Sequence, residues 1–402
     1  MTNILSRPRR SPAAGSSSND LDAGLVDQLT GGLDIELRDY QLRIITKAIR
    51  LFAGTATGRS GEVEPAAASV MIESPTGSGK TVMGLTIARH LQRTHGYRVG
   101  WVAMRRNLLS QAMFENKRRR FDVDLQLISM FDKQPPAVDV LVVDEAQHDA
   151  AMSMANLHCA VRPKLILGLT ATPFRTDRVK LCFDKVIRDA GIQQLIQDGF
   201  LSRYRHFTLP EYTPASVAEC FLRERDRWGK SLMFFHRLDQ CLDCLALLKV
   251  AGVRAEVVTA QTDRERQLDD FEAGRLEVLI NMAILTEGFD CPSLRTVFCR
   301  PSGRSCTIQM AGRVLRLYGS EPLKQIVQCK HTSHPFMKTA LAHEQYVWTS
   351  EGWRALTINQ HIEQITTNMR SVLATTNVEL PKLITLHRAG NLPWHQRIAR
   401  TL

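Results

Sequence analysis

Residues 68 to 92, ASVMIESPTGSGKTVMGLTIARHLQ, constrain the fold more than any other stretch of the chain. ASVMIE (68–73) is an apolar run of strand length. TVMGLTIARHLQ (81–92) has helical spacing, and the SPTGSGKT turn falls between them. A strand that passes through a glycine-rich turn straight into a helix brings several backbone N–H groups and a helix N-terminus to one point. That arrangement is a cradle for phosphate oxygens. SPTGSGKT follows the phosphate-loop pattern GxxxxGK[ST], except that Ser74 replaces the first glycine. The backbone of Thr76, Gly77, Ser78 and Gly79 is then expected to wrap phosphates. Lys80 would reach the β and γ groups, and the Thr81 hydroxyl would hold Mg²⁺.

Further apolar runs extend the pattern. RVGWVAM (98–104), VDVLVVD (138–144) and KLILGLT (164–170) lack the alternation of a half-exposed strand, which predicts a parallel sheet covered by helices on both faces. Residues 175–230 are mixed and read as a connection with one or two helices. A second series follows: SLMFF (231–235), AEVVT (255–259), EVLINMA (277–283), TVFCR (296–300) and QIVQC (325–329), with a helix over 263–274 closed by Gly274. The expected class is α/β, two tandem domains with parallel sheets plus a short C-terminal accessory segment. The divisions are 1–30 as a disordered tail, 31–205, 206–330 and 331–402. The last holds a hairpin in EQYVWTSEGWRAL and a helix near 359–374.

The formal charge of +11 and a pI near 9.4 point to a polyanionic partner, and nucleic acid is the usual one. No apolar run approaches the ~18 residues that span a bilayer. The opening MTNILSRPRRSPAAGSSSND has no hydrophobic core for a secretory signal, and reads as a disordered tail in preference to a transit peptide. Nine scattered cysteines fit reduced thiols, so a cytoplasmic, membrane-free location is expected. The lone pair Cys241 and Cys244, and the group Cys329, His331 and His334, are not expected to bind metal.

VVDEAQH (142–148) ends a buried strand on two carboxylates. Burying such charge is costly without a partner, and Mg²⁺ supplies one. Asp144 is placed to hold the ion and Glu145 to polarise an attacking water. With LRDYQ (37–41), GLTATPFR (168–175), ILTEGFD (284–290) and QMAGRVLR (309–316), the ordered set resembles the superfamily 2 helicases, in a DEAQ variant, over roughly residues 35 to 320.

The resemblance implies two RecA-like domains with ATP and Mg²⁺ in the cleft between them. Gln41 would read the adenine edge, with Asp290 near the ribose and Gly288 in the adjacent loop. Arg313 and Arg316, read as one face of a helix that also carries Gln309, would touch the γ phosphate on closure. Gln147, His148, Thr170 and Thr172 would couple hydrolysis to movement. Arg105, Arg106 and Thr286 would contact the nucleic-acid backbone. KRRR (117–120) is either a further contact or a solvated face.

DEAQ, TAT, EGFD and QxxGRxxR are most similar to the branch of repair helicases and restriction-enzyme motors. A DNA helicase or translocase is therefore favoured over an RNA helicase or remodelling ATPase. A nucleotide-gated binding module would not need a water-activating carboxylate and arginine fingers together. No residue cluster suits a nuclease, and the C-terminal segment could take protein partners.

Overall fold

The apolar runs form the strands of two sheets. In the computed structural model, which describes residues 23–58, 61–148, 152–171, 183–282, 291–319, 323–350 and 352–356, the first sheet has six strands. They are β1 (Ser69–Glu73), β2 (Val99–Ala103), β3 (Leu125–Ser129), β4 (Val140–Asp144), β5 (Leu165–Thr170) and β6 (Lys185–Arg188), in the order β3-β2-β4-β5-β1-β6. All its neighbouring pairs are parallel.

The second sheet has eight strands: β7 (Arg203–Leu209), β8 (Ser231–Phe234), β9 (Ala255–Val257), β10 (Val278–Asn281), β11 (Thr296–Phe298), β12 (Leu323–Cys329), β13 (Glu344–Thr349) and β14 (Gly352–Leu356). Their order is β14-β13-β7-β12-β11-β8-β10-β9. From β13 to β9 the pairing is parallel.

Both sheets are buried on two sides, as parallel sheets require. In the first, Val70, Ile72, Trp101, Val140 and Val142 face one core, while Val102, Ile128, Leu141 and Val143 face another. In the second, Leu232, Phe234, Leu279 and Val297 join the first of those cores, while Met233, Val278, Ile280 and Phe298 face a third. Cys241 and Cys244 pack in that third core, where burial pushes both thiols up to about 12.

The described residues up to Ala355 form one compact unit. The helix expected near 359–374 lies outside the described residues. No helix among the described residues is long and apolar enough to cross a membrane.

Two expectations change. The stretch 175–230 holds two strands, β6 and β7, besides its helices. Strand β7 begins at Arg203, ahead of the division drawn at 205, and it lies inside the second sheet between β12 and β13. Its sequence RYRHFTL looks polar, but His206 is only 3% exposed and its Nε2 pairs with Gln328 Oε1 on β12 at 3.0 Å. The hairpin in EQYVWTSEGWRAL does form, yet its strands β13 and β14 are not an accessory to the second sheet but an extension of it.

Candidate functional site

Strand β1 delivers the chain to Ser74, whose N–H donates to Thr170 O on β5 at 2.9 Å. The Ser74 hydroxyl donates to Ser78 Oγ at 2.7 Å, and both residues are buried. Serine at the first-glycine position thus closes the loop from inside. Gly77 and Gly79 take φ of 81° and 82°, a region that side chains disfavour.

Two residues of the preceding helix Asp39–Ala53 fasten this loop. Tyr40 Oη donates to Ser78 O at 2.6 Å, and Gln41 Nε2 donates to the same oxygen at 2.8 Å. Gln41 Oε1 accepts from Arg38 N–H at 3.0 Å. Gln41 therefore bonds the phosphate loop with one amide N–H and its own helix start with its amide oxygen. A Cβ on Gly79 would stand 2.4 Å from Gln41 Nε2, so the loop accepts only glycine there.

The helix Lys80–His95 starts on Gly79 and ends at Gly96 (φ 67°), with Arg93 and His95 against its negative end. Its first two residues, Lys80 and Thr81, open onto a cavity of about 300 Å³. Burial pushes the Lys80 ammonium below its usual value, helped by Arg313 and Arg316 and opposed by Glu145 and Asp144. A partly buried cation of this kind gains most when an anion arrives.

Asp144 and Glu145 stand on the same wall, at the end of β4. Glu145 has φ of 53°, which strains a non-glycine residue and turns its side chain into the cavity. Gln147 Nε2 donates to Glu145 Oε2 at 3.0 Å, and Thr170 Oγ1 donates to Gln147 Oε1 at 2.7 Å. Since Thr170 O also holds Ser74, an unbroken chain links the phosphate loop, β5, Gln147 and Glu145. Glutamine carries no charge at any ordinary pH, so the link does not titrate. His148 closes the short turn that carries Gln147.

The second sheet supplies the opposite wall. The helix Arg304–Gly312 brings Gly312 so close to the phosphate loop that a Cβ there would stand 3.1 Å from Thr76 Cβ. The helix ends at Gly312, so Arg313 and Arg316 lie on the turn after it rather than on one helical face, and both line the cavity. Arg313 is 6% exposed. Burial lowers the Arg316 guanidinium to about 10, opposed by Glu115, and it remains cationic at neutral pH. Gln309, half-buried one turn before Arg313, is not part of the wall.

Three features were not visible in the sequence. The helix Arg106–Arg118 turns Leu108, Gln111 and Glu115 toward the cavity, together with Arg118 and Arg119. Glu115 pairs with Arg118 at 3.8 Å and with Arg119 at 3.3 Å. Half of KRRR thus faces the phosphate-loop cavity, and Arg120 pairs with Asp34 at 2.9 Å.

The second feature is Arg264, the first residue of the helix Arg264–Glu272, which lies near Arg105 and Arg313. Its Nε and Nη2 are buried without a hydrogen-bond partner among the described residues, and burial plus the two arginines lower its pKa. Its place at a helix start just after β9 was the available signal. The third is Ser202, taken up below. Arg105 is half-buried at the end of β2 and Arg106 is exposed. Thr172, Thr286, Gly288 and Asp290 lie outside the described residues.

Comparison with known proteins places family models on both sheets. Residues 34–129 match the model for the res subunit of type III restriction enzymes, and residues 214–318 match the helicase conserved C-terminal domain. A 51.5 kDa protein of a Lactococcus phage is 26% identical, over 58% of this chain and 59% of the relative. The putative ATP-dependent helicase IRC3 of Saccharomyces cerevisiae is 25% identical, over 71% of this chain and 50% of the relative. The chain spans between half and six-tenths of these relatives' length.

Among solved structures, the type ISP restriction-modification enzyme LlaBIII bound to DNA has a TM-score of 0.53 at 13% identity, covering 82% of this chain and 29% of that one. Yeast Dbp5 bound to RNA and ADP BeF3 has a TM-score of 0.53 at 15% identity, covering 86% of this chain and 99% of that one. At such identity the two structures agree on the fold alone. The restriction-subunit model on the first sheet, the helicase model on the second and the helicase-named relative support a superfamily 2 helicase, near the branch of restriction-enzyme and repair motors.

Proposed function

We propose that the chain couples ATP hydrolysis between its two sheets to movement on nucleic acid, and that the nucleic acid is DNA. One observation carries this reading. A single cavity takes Lys80, Asp144 and Glu145 from one side and Arg313 and Arg316 from the other. The candidate water-activating carboxylate comes from the first wall, and the second adds two guanidinium groups, Arg313 and Arg316, to the cations already there.

The residues fit a magnesium nucleotide. Gly77, Gly79 and the half-buried Lys80 line the cavity, where loop N–H groups and an ammonium suit phosphate oxygens. Thr81 and Asp144 would hold Mg²⁺, which when bound neutralises charge on the β and γ oxygens. Glu145, oriented by Gln147, accepts a proton from the attacking water as its oxygen bonds to the γ phosphorus and the bond to the β–γ bridging oxygen breaks. Arg313 and Arg316 stabilise the charge spread over the phosphoryl oxygens, an effect worth ~10³ to 10⁵ in rate for such fingers. Arg264, whose Nε and Nη2 have no hydrogen-bond partner among the described residues, is a candidate contact for a nucleic-acid phosphate.

The restriction-subunit match and the DNA-bound relative in fold support DNA. The RNA-bound relative supports the second reading, an RNA helicase or remodelling ATPase. Steady-state ATP turnover with single-stranded DNA, duplex DNA and single-stranded RNA, each at two salt concentrations, separates them. DNA stimulation that fades as salt rises is expected. Stimulation by RNA alone would replace DNA with RNA, and a rate indifferent to all three would remove the motor reading.

A further inference from the structure

We propose that Phe200, Leu201 and Ser202 form a strap that positions Arg316 against the phosphate loop, with Ser202 as the positioning residue. The inference rests on the reading of Arg316 as a finger toward the γ phosphate.

The strap holds the loop at one end. The Phe200 ring lies 5.3 Å from that of Tyr40, whose hydroxyl is bonded to Ser78 O, and the Arg38 guanidinium lies 4.9 Å from the Phe200 centroid. Leu201 Cδ2 stands 3.2 Å from the point where a Cβ on Gly77 would lie, and Arg316 Cγ stands 3.4 Å from the same point. Leucine and arginine stem therefore press on one glycine of the loop.

At its other end the strap holds the finger's backbone. Ser202 N–H donates to Leu315 O at 2.8 Å, and Ser202 Oγ donates to Arg316 O at 3.0 Å. Ser202 is 1% exposed, so its own N–H and hydroxyl are shielded from bulk water. Residues 313–319 belong to no helix or strand, and Leu317 and Tyr318 are exposed. These two bonds, with the burial of Val314 and Leu315, fix the turn bearing Arg316, and Ser202 is the residue that ties its backbone to the strap. Immediately afterwards, Arg203 opens β7 between β12 and β13, so the strap ends on a fixed strand. Displacing the phosphate loop at Gly77 would press on Leu201, and through Ser202 on the finger.

Displacement of a reacting group by about 1 Å can cost about a hundredfold in rate. Ser202→Ala removes one of the two holds. It is expected to lower kcat roughly five- to twentyfold, with KM for ATP and the melting temperature little changed. Ser202→Thr keeps the hydroxyl and should restore most of the rate. Affinity for ADP with aluminium fluoride, which mimics the phosphoryl group in flight, should fall in Ser202→Ala while affinity for ADP alone holds.

In an Arg316→Ala background, Ser202→Ala should add nothing, because the group it places is gone. If Arg316→Ala is slow but Ser202→Ala turns over normally, or if the two losses multiply, the strap is wrong and the finger stands. Normal turnover in both variants would overturn the finger and the strap with it.

Discussion

Replacing Gly312 with alanine sets helix stability against activity. The added Cβ would stand 3.1 Å from Thr76 Cβ and 3.3 Å from Thr76 Oγ1, inside ordinary van der Waals contact. Thr76 has little room to yield, because the loop around it is tied through Ser74, Ser78, Tyr40 and Gln41. The cleft must then open by a few tenths of an ångström. Overpacking of this kind costs about 1–3 kcal/mol. Applied to the closed state alone, at about 1.4 kcal/mol per factor of ten, it lowers kcat roughly 5- to 150-fold. Gly312 ends a helix and has no positive φ, so alanine favours the helix by up to about 1 kcal/mol. The melting temperature should hold or rise while turnover falls, and nucleotide affinity, set on the other wall, should change little. Thermal melts and steady-state ATPase on the same preparation test this. A normal kcat, or a loss of rate matched by a loss of stability, would refute the reasoning.

Other perturbations have equally definite outcomes. Gln147→His puts a titrating group between Glu145 and Thr170. Below about pH 6.5 its imidazolium would pair with Glu145 and weaken the base, so kcat should fall with acid more steeply than in the parent, read from paired pH–rate profiles. Burial lowers the pKa of His206, opposed by its bond to Gln328. A histidine held below its unfolded value stabilises the fold above that value and loses the contribution as pH falls through the folded one. Denaturant melts should therefore show stability dropping below about pH 6.5, less so in His206→Gln. Arg264→Ala should weaken nucleic-acid affinity and reduce the slope of log affinity against log salt by about one; an unaltered slope would show that Arg264 touches no phosphate.

The parts of the site legible in the sequence are those carried by local pattern. SPTGSGKT and VVDEAQH each sit where a buried strand stops, and the apolar run before each marks the strand. Strand β6 is only four residues with one buried side chain, Ile187, and β7 hides its polar His206 against a partner far along the chain, so neither stands out as an apolar run. His206 looks like a surface residue until Gln328 is beside it. The two arginines were expected on a helix because QMAGRVLR is rich in helix formers, but the chain buries both Val314 and Leu315 after Gly312 and leaves the helix to do so. The bond from Gln41 to Ser78 O is not legible in the sequence, because it depends on how closely two segments approach. Glu115 and Ser202 carry no sequence signal for the same reason, and Arg264 only that of a helix start after β9. Their meaning lies in contacts between the two domains, which no periodicity records.

Under the proposed function, the second sheet completes a hydrolytic site that the first can only load. The most direct test of this is a single comparison: nucleotide affinity and single-turnover ATP hydrolysis in the parent protein and in Arg313→Ala, both with saturating DNA. The account predicts affinity within a few-fold of the parent and hydrolysis at least about a hundredfold slower. Hydrolysis at the parent rate would contradict it.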